Sequence, residues 1–232
     1  MNRSRLVPAL LAAVALAVSA GALAAGDHPS PLVDPTWLAS HLADKDLVVL
    51  HVASFRRDYL AGHVPGARFL WVGAYAQNTP EMSYEVVPLD QLRHNLEALG
   101  VSDRSRVVLC GVNGNVSPTA RAFVTFDYLG MGDRVSILDG GLEAWKAAGQ
   151  PLATDVPKVA PGSLHPHVRP DVFVDADWVQ AHLHRPDVDL VDARAPQYYK
   201  GASAGQLHSG HIPERPQSLL CHPRRLDEPH AS

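Results

Sequence analysis

A ten-residue stretch of this chain occurs twice. Val33-Asp-Pro-Thr-Trp-Leu-Ala-Ser-His-Leu42 returns as Val174-Asp-Ala-Asp-Trp-Val-Gln-Ala-His-Leu183, at an offset of 141 residues. The offset holds through the next apolar run, where Asp46 to Val52 aligns with Asp187 to Ala193. Gly62-His-Val-Pro65 then matches Gly210-His-Ile-Pro213 at an offset of 148, so the second copy carries seven extra residues around Lys200 to Leu207. A repeat of this length makes each copy one structural unit, and every local reading must fit both.

Each copy opens with the same pattern. Asp34 and Asp175 are placed to cap a short helix that carries a Trp and a His-Leu pair. Leu47 to Val52 and Val188 to Ala193 are apolar runs of strand length. The first copy continues. Leu89 to Leu99 has helical spacing and ends at Gly100. Arg106 to Cys110 is a short strand, and Gly111 to Asn115 a Gly/Asn loop. Ser117-Pro118 has the form of an N-cap followed by proline, starting a helix that runs to Leu129. Val135 to Leu138 and Leu142 to Ala148 give one more strand and helix. Strands alternating with helices imply an α/β fold on a parallel sheet.

Composition limits the function. Hydrophobic residues make up 46% of the 232, enough for a core. The formal charge of −4, with no long run of Lys or Arg, excludes a nucleic-acid partner. Arg3 and Arg5 precede an apolar run, Leu6 to Val18, too short to span a bilayer, and Ala22-Leu23-Ala24 fits a cleavage site. Residues 1–24 therefore read as a signal peptide, with a periplasmic or secreted product and no membrane partner after cleavage. Of the two cysteines, Cys110 and Cys221, no disulfide framework can be built. Prolines 151, 157, 161, 166 and 170 mark residues 151–173 as an extended linker. His165 and His167 inside it lack further ligands, so no metal site is expected.

Two motifs resemble a known family. Tyr59-x3-His63-Val64-Pro65-Gly66-Ala67 is similar to the N-terminal signature of the rhodaneses. Leu138-Asp139-Gly140-Gly141-x3-Trp145 is similar to their later Leu-Asp-Gly-Gly element. With the repeat, the resemblance extends to tandem-domain sulfurtransferases of the thiosulfate or 3-mercaptopyruvate type. It implies a rhodanese-like open parallel sheet flanked by helices: a complete domain at 31–150 and a partial second one at 174–213. It also implies transfer of a sulfane sulfur, through a cysteine persulfide, from a small donor to a thiophilic acceptor such as cyanide or a thiol. No cofactor is implied. Read from the residues alone, Trp37 and Trp145 are core residues and His63 fixes a turn.

Such chemistry needs a thiolate stabilised by loop amides or a helix N-terminus. Cys110 ends a strand before a Gly-rich loop and is the candidate persulfide carrier. Gly111, Asn113, Gly114 and Asn115 would supply backbone donors and Arg121 a positive charge. The alternative is a small buried strand-end residue in a non-catalytic module. The loop from Cys110 to Ser117 is about one residue longer than the family's usual six, and the family's tandem members carry the catalytic cysteine in the second domain. The second copy has Asp192-Ala-Arg194 where the first has His51-Val-Ala53. The first copy thus lacks two polar residues that often line the family's pocket. After Pro213, residues 214–232 follow neither strand nor helix period and read as an aberrant, disordered tail, as a shifted reading frame would produce. Cys221 in it has no strand before it. A Cys-x5-Arg phosphatase loop is excluded by Val116, and no Gly-x-Ser-x-Gly elbow is present.

Overall fold

The computed structural model describes residues 30–80, 83–112, 114–202 and 210–212. The segment read as a signal peptide, Asn113, Pro213, the tail and Cys221 lie outside these residues. The chain divides into two units, 1–169 and 170–232.

The first unit runs β1 (Leu32–Val33), α1 (Pro35–His41), β2 (Leu47–Ala53), α2 (Arg56–Leu60), β3 (Arg68–Trp71) and a 3-10 turn (Val72–Ala74). Then come β4 (Ala76–Gln77), β5 (Glu85–Val86), α3 (Leu89–Ala98), β6 (Arg106–Cys110), α4 (Val116–Tyr128), β7 (Val135–Leu138) and α5 (Gly141–Ala147). Five strands form one sheet in the order β1-β7-β6-β2-β3, and every pairing in it is parallel. The predicted α/β class and open parallel sheet are both present. β4 and β5 pair separately, antiparallel.

Near-continuous apolar runs such as β2 and β6 suit a parallel sheet covered on both faces. Strand alternation sorts their side chains between two cores. Val48, Leu50, Val107 and Leu109 pack with Leu92 and Leu96 of α3 and Ala122 and Phe126 of α4. Val49, Val108 and Cys110 pack on the opposite face with Leu38 of α1 and Leu142 and Trp145 of α5. Trp145 is fully buried, and its indole N–H donates to Pro151 O at 2.8 Å.

The first helix starts as its sequence indicates. Trp37 N–H donates to the Asp34 side chain at 2.8 Å, and Pro35 occupies the first turn, where no N–H is needed. Asp34→Ala is expected to lower stability by about 1 kcal/mol, read as a shift in the urea midpoint with unchanged slope. The start of α4 differs from the reading above. The helix begins at Val116, and the cap is Asn115, whose side chain accepts from Ser117 N–H at 3.2 Å. Asn competes well at this position, and Pro118 then falls within the first turn.

The proline-rich segment is extended and lies along the first unit as far as residue 169. Ala153 pairs with His63 through reciprocal backbone bonds of 3.0 and 2.9 Å, Gly162 N–H donates to Glu97 O at 2.7 Å, and Leu164 is buried. His165 Nδ1 lies 2.8 Å from Asp103 Oδ2. Among the described residues no three His, Cys, Asp or Glu side chains group to hold a metal, and no helix is long and apolar enough to cross a membrane.

The second unit contains α6 (Ala176–His182) and α7 (Pro196–Tyr199). Its local devices match those of the first. Asp175 accepts from Trp178 N–H at 2.8 Å. Trp178 stacks on His182 at 3.9 Å, as Trp37 does on His41 at 4.0 Å. Tyr199 stacks on His211 at 3.8 Å, as Tyr59 does on His63 at 3.9 Å. The strand expected at 188–193 does not form a ladder. β2 is held by β3 and β6 on its two sides, whereas the described residues of the second unit contain no strand element for 188–193 to join. Val174, Val191 and Ile212 are accordingly exposed, although their counterparts Val33, Leu50 and Val64 are buried.

Candidate functional site

The C-terminal edge of a parallel sheet is where an α/β fold places its chemistry, at the point where the strand order reverses. Here that point lies between β2 and β6. The two strands are in register from Leu47 and Arg106 to His51 and Cys110, so these last two residues face each other across the ladder. Beyond Cys110, residues 111–115 lead into α4.

The Cys110 side chain is buried in a core rather than open to solvent. It follows Val108 onto the α1/α5 side of the sheet, while α4 packs on the other side. Its exposure is zero, and its thiol donates to Gly111 O at 3.7 Å. Burial pushes the thiol pKa up to about 12. The Glu143 carboxylate adds to the rise, and Lys146 opposes it weakly.

The loop itself borders a cleft of roughly 580 Å³, open to solvent. Gly111, Gly114 and Asn115 line it, opposite the turn Asp139-Gly140-Gly141. Two glycines make this approach possible. A Cβ on Gly141 would stand 2.6 Å from Gly111 O, and one on Gly111 would stand 2.5 Å from Thr119 Oγ1. Gly140 and Gly141 both take left-handed backbone angles, φ 67° and 60°. Leu142 N–H closes the pair of turns by donating to Gly111 O at 2.9 Å. Arg121 is not among the residues lining the cleft. It lies near Tyr75 and Glu85, and burial lowers its pKa. The ionisable side chains lining the cleft are the carboxylates Asp139 and Glu143, with no Lys or Arg among them.

The match to known proteins follows the same residues. A model of the rhodanese-like domain matches residues 34–148. The chain is 32% identical over 199 residues to the sulfur carrier protein TtuD of Thermus thermophilus, covering 80% of this chain and 68% of that one. It is 32% identical over 194 residues to a probable 3-mercaptopyruvate sulfurtransferase of Pseudomonas aeruginosa, covering 78% and 68%.

The chain belongs to the rhodanese family of sulfurtransferases.

Its fold is also that of the 3-mercaptopyruvate sulfotransferase SseA from Escherichia coli. That match has a TM-score of 0.68 at 24% identity over 82% of this chain and 74% of that one. Within this rhodanese unit, the family's His-Val-Pro-Gly and Leu-Asp-Gly-Gly segments have separate duties. His63 Nδ1 lies 2.9 Å from Tyr59 O and Nε2 lies 3.0 Å from Asp155 O, so the ring ties the turn to the extended segment. Leu-Asp-Gly-Gly forms the far wall of the cleft.

His51 lies in the first copy's apolar run where the second copy has Asp192. Its ring is fully buried, and neither nitrogen has a hydrogen-bond partner. Tyr59 meets it edge-on at 5.4 Å and His63 at 6.4 Å. Burial, and then the neighbouring His63, lower its pKa to about 4. In the second unit, Asp192 and Arg194 at the corresponding place form a two-point pair, with contacts of 2.9 and 2.6 Å.

Proposed function

We propose that this chain takes part in sulfane-sulfur transfer from thiosulfate or 3-mercaptopyruvate to a thiophilic acceptor, cyanide or a thiol, and that its first unit supports the reaction without carrying the sulfur on Cys110. In that reaction a cysteine thiolate attacks the outer sulfur of thiosulfate. The sulfur–sulfur bond breaks with its electron pair on sulfite, and the persulfide then yields its terminal sulfur to the acceptor. The reaction class rests on the relatives, which are named for these donors. An exported setting is part of the reading and rests on Arg3, Arg5 and the run from Leu6 to Val18.

The observation that carries the supporting role is the direction of Cys110. A persulfide carrier must meet a donor in solvent as a thiolate. Cys110 is fully buried on the α1/α5 face, and its thiol pKa of about 12 leaves almost no thiolate at neutral pH. The cleft beside it offers carboxylates to an anionic donor, the wrong sign for attraction.

The test is the rate of thiocyanate formation from thiosulfate and cyanide, and of pyruvate formation from 3-mercaptopyruvate. The full chain and its Cys110→Ala variant are expected to give the same rates within about twofold, with a loss of about 1 kcal/mol in stability from the small void. A rate that collapses in a folded Cys110→Ala protein contradicts the supporting role.

A further inference from the structure

His63 is fully buried, and both nitrogens of its ring face carbonyl oxygens. Nδ1 lies 2.9 Å from Tyr59 O and Nε2 lies 3.0 Å from Asp155 O. A carbonyl oxygen only accepts, so each contact needs a proton on the nitrogen. A neutral imidazole carries one such proton. Whichever nitrogen holds it, the other points its lone pair at an oxygen. Only the imidazolium, with two N–H groups, satisfies both contacts.

The surroundings suit a positive charge. Tyr59 stacks on the ring at 3.9 Å with the planes 10° apart, which sets π-electron density against the cation. The charged groups of the neighbourhood come from each element packed there. Asp58 and Arg56 stand on α2, Asp155 on the extended segment, Glu143 and Lys146 on α5, and His51 on β2. The carboxylates Asp58, Asp155 and Glu143 thus outnumber the fixed cations Arg56 and Lys146. His51 is the neighbour that competes for the proton. Its nitrogens have no acceptor, whereas both nitrogens of His63 have one, so a single charge shared between the two rings belongs on His63.

The two ring protons do different work. The Nδ1 contact lies within the turn after α2, and it recurs in the second unit, where His211 Nδ1 lies 2.8 Å from Tyr199 O. The Nε2 contact instead reaches the extended segment, beside the backbone pair of His63 and Ala153. Farther along, that segment has other anchors: Glu97 holds Gly162 and Leu164, and Asp103 holds His165. Loss of the Nε2 proton turns the Asp155 contact from attraction into repulsion and leaves the later anchors intact.

We infer that His63 is a charge-operated latch, whose imidazolium clamps residues 151–157 onto the first unit and whose loss of one ring proton releases them.

The test measures the full chain, labelled with 15N, at pH 6.0 and 8.5, on either side of the ordinary histidine value of about 6.5. Ring 15N shifts report a proton on each nitrogen. Amide exchange, corrected for the intrinsic rate at each pH, reports opening. At pH 6.0 both ring nitrogens of His63 are expected to be protonated. Between pH 6.0 and 8.5 the protection of the His63 and Ala153 amides, each bonded to the other's carbonyl, falls about tenfold, as for one charged hydrogen bond lost. Protection at Gly162, in the same segment but bonded to Glu97 O, stays the same. His63→Gln keeps a donor but cannot change its charge, so its Ala153 amide is equally protected at both pH values. An unprotonated His63 ring nitrogen at pH 6.0 overturns the inference, as does unchanged protection of Ala153 in the full chain, and neither reading needs a variant. A tenfold fall that persists in folded His63→Gln, or that extends to Gly162, also overturns it, since the opening would then have another cause.

Discussion

Iodoacetamide is expected to alkylate Cys110 in the folded chain on the order of 10³ times more slowly than after unfolding. The thiolate is the reacting form, and at a given neutral pH its fraction falls tenfold for each unit by which the pKa rises. Burial, with Glu143 second, moves this thiol from its ordinary 9.0 up to about 12. Zero exposure slows the reaction further, because reagent must wait for the α1/α5 face to open. Peptide mapping separates Cys110 from Cys221, so the rate can be read for the first alone. Equal rates in folded and unfolded protein would place the thiol at the surface and sink the buried assignment.

The second large effect is acid sensitivity from His51. Its folded pKa of about 4 lies below the ordinary 6.5, so protonation favours the unfolded chain. The sign follows directly. Above pH 6.5 the ring is neutral in both states, and its ionisation takes nothing from stability. As pH falls from 6.5 toward 4, the unfolded chain takes up a proton that the folded one refuses, and stability is lost. The loss reaches about 2 kcal/mol at pH 5 and about 3 kcal/mol once the folded ring also titrates. His63 and Lys146 strengthen the effect, while Asp58 and Glu143 oppose it. His51→Leu is expected to abolish this loss. It should also raise stability at pH 7.5 by about 1 to 3 kcal/mol, because two buried nitrogens without partners are replaced by apolar surface of similar volume. Urea midpoints at pH 7.5 and 5.0 for both proteins give the difference. Parallel losses in the two proteins would show that the ring is hydrated or hydrogen-bonded in solution.

The alternation of strands and helices, and the two glycine-marked turns, were legible because each is a local signal. β6 and β7 fall where their apolar runs stand, and α3 ends at the glycine that ends its pattern. The direction of Cys110 was not legible. Alternation within β6 says only that Cys110 shares a face with Val108. Which helices cover that face depends on the strand order, a tertiary fact. The same limit applies to residues 188–193, whose composition is that of a strand. A strand requires neighbours to ladder with, and composition carries no information about them. His51 could be noted in sequence as a departure from Asp192-Ala-Arg194, but its two unpartnered nitrogens are visible only once Tyr59 and His63 surround it.

The supporting role of the first unit is tested most directly by locating sulfur on the protein. The full chain is incubated with thiosulfate or 3-mercaptopyruvate at neutral pH, alkylated under conditions that trap persulfides, unfolded, digested and mapped by mass. The peptide containing Cys110 is predicted to carry no added sulfur atom. A persulfide on Cys110 in the folded chain, discharged by cyanide as thiocyanate, would contradict the account and make this cysteine the carrier.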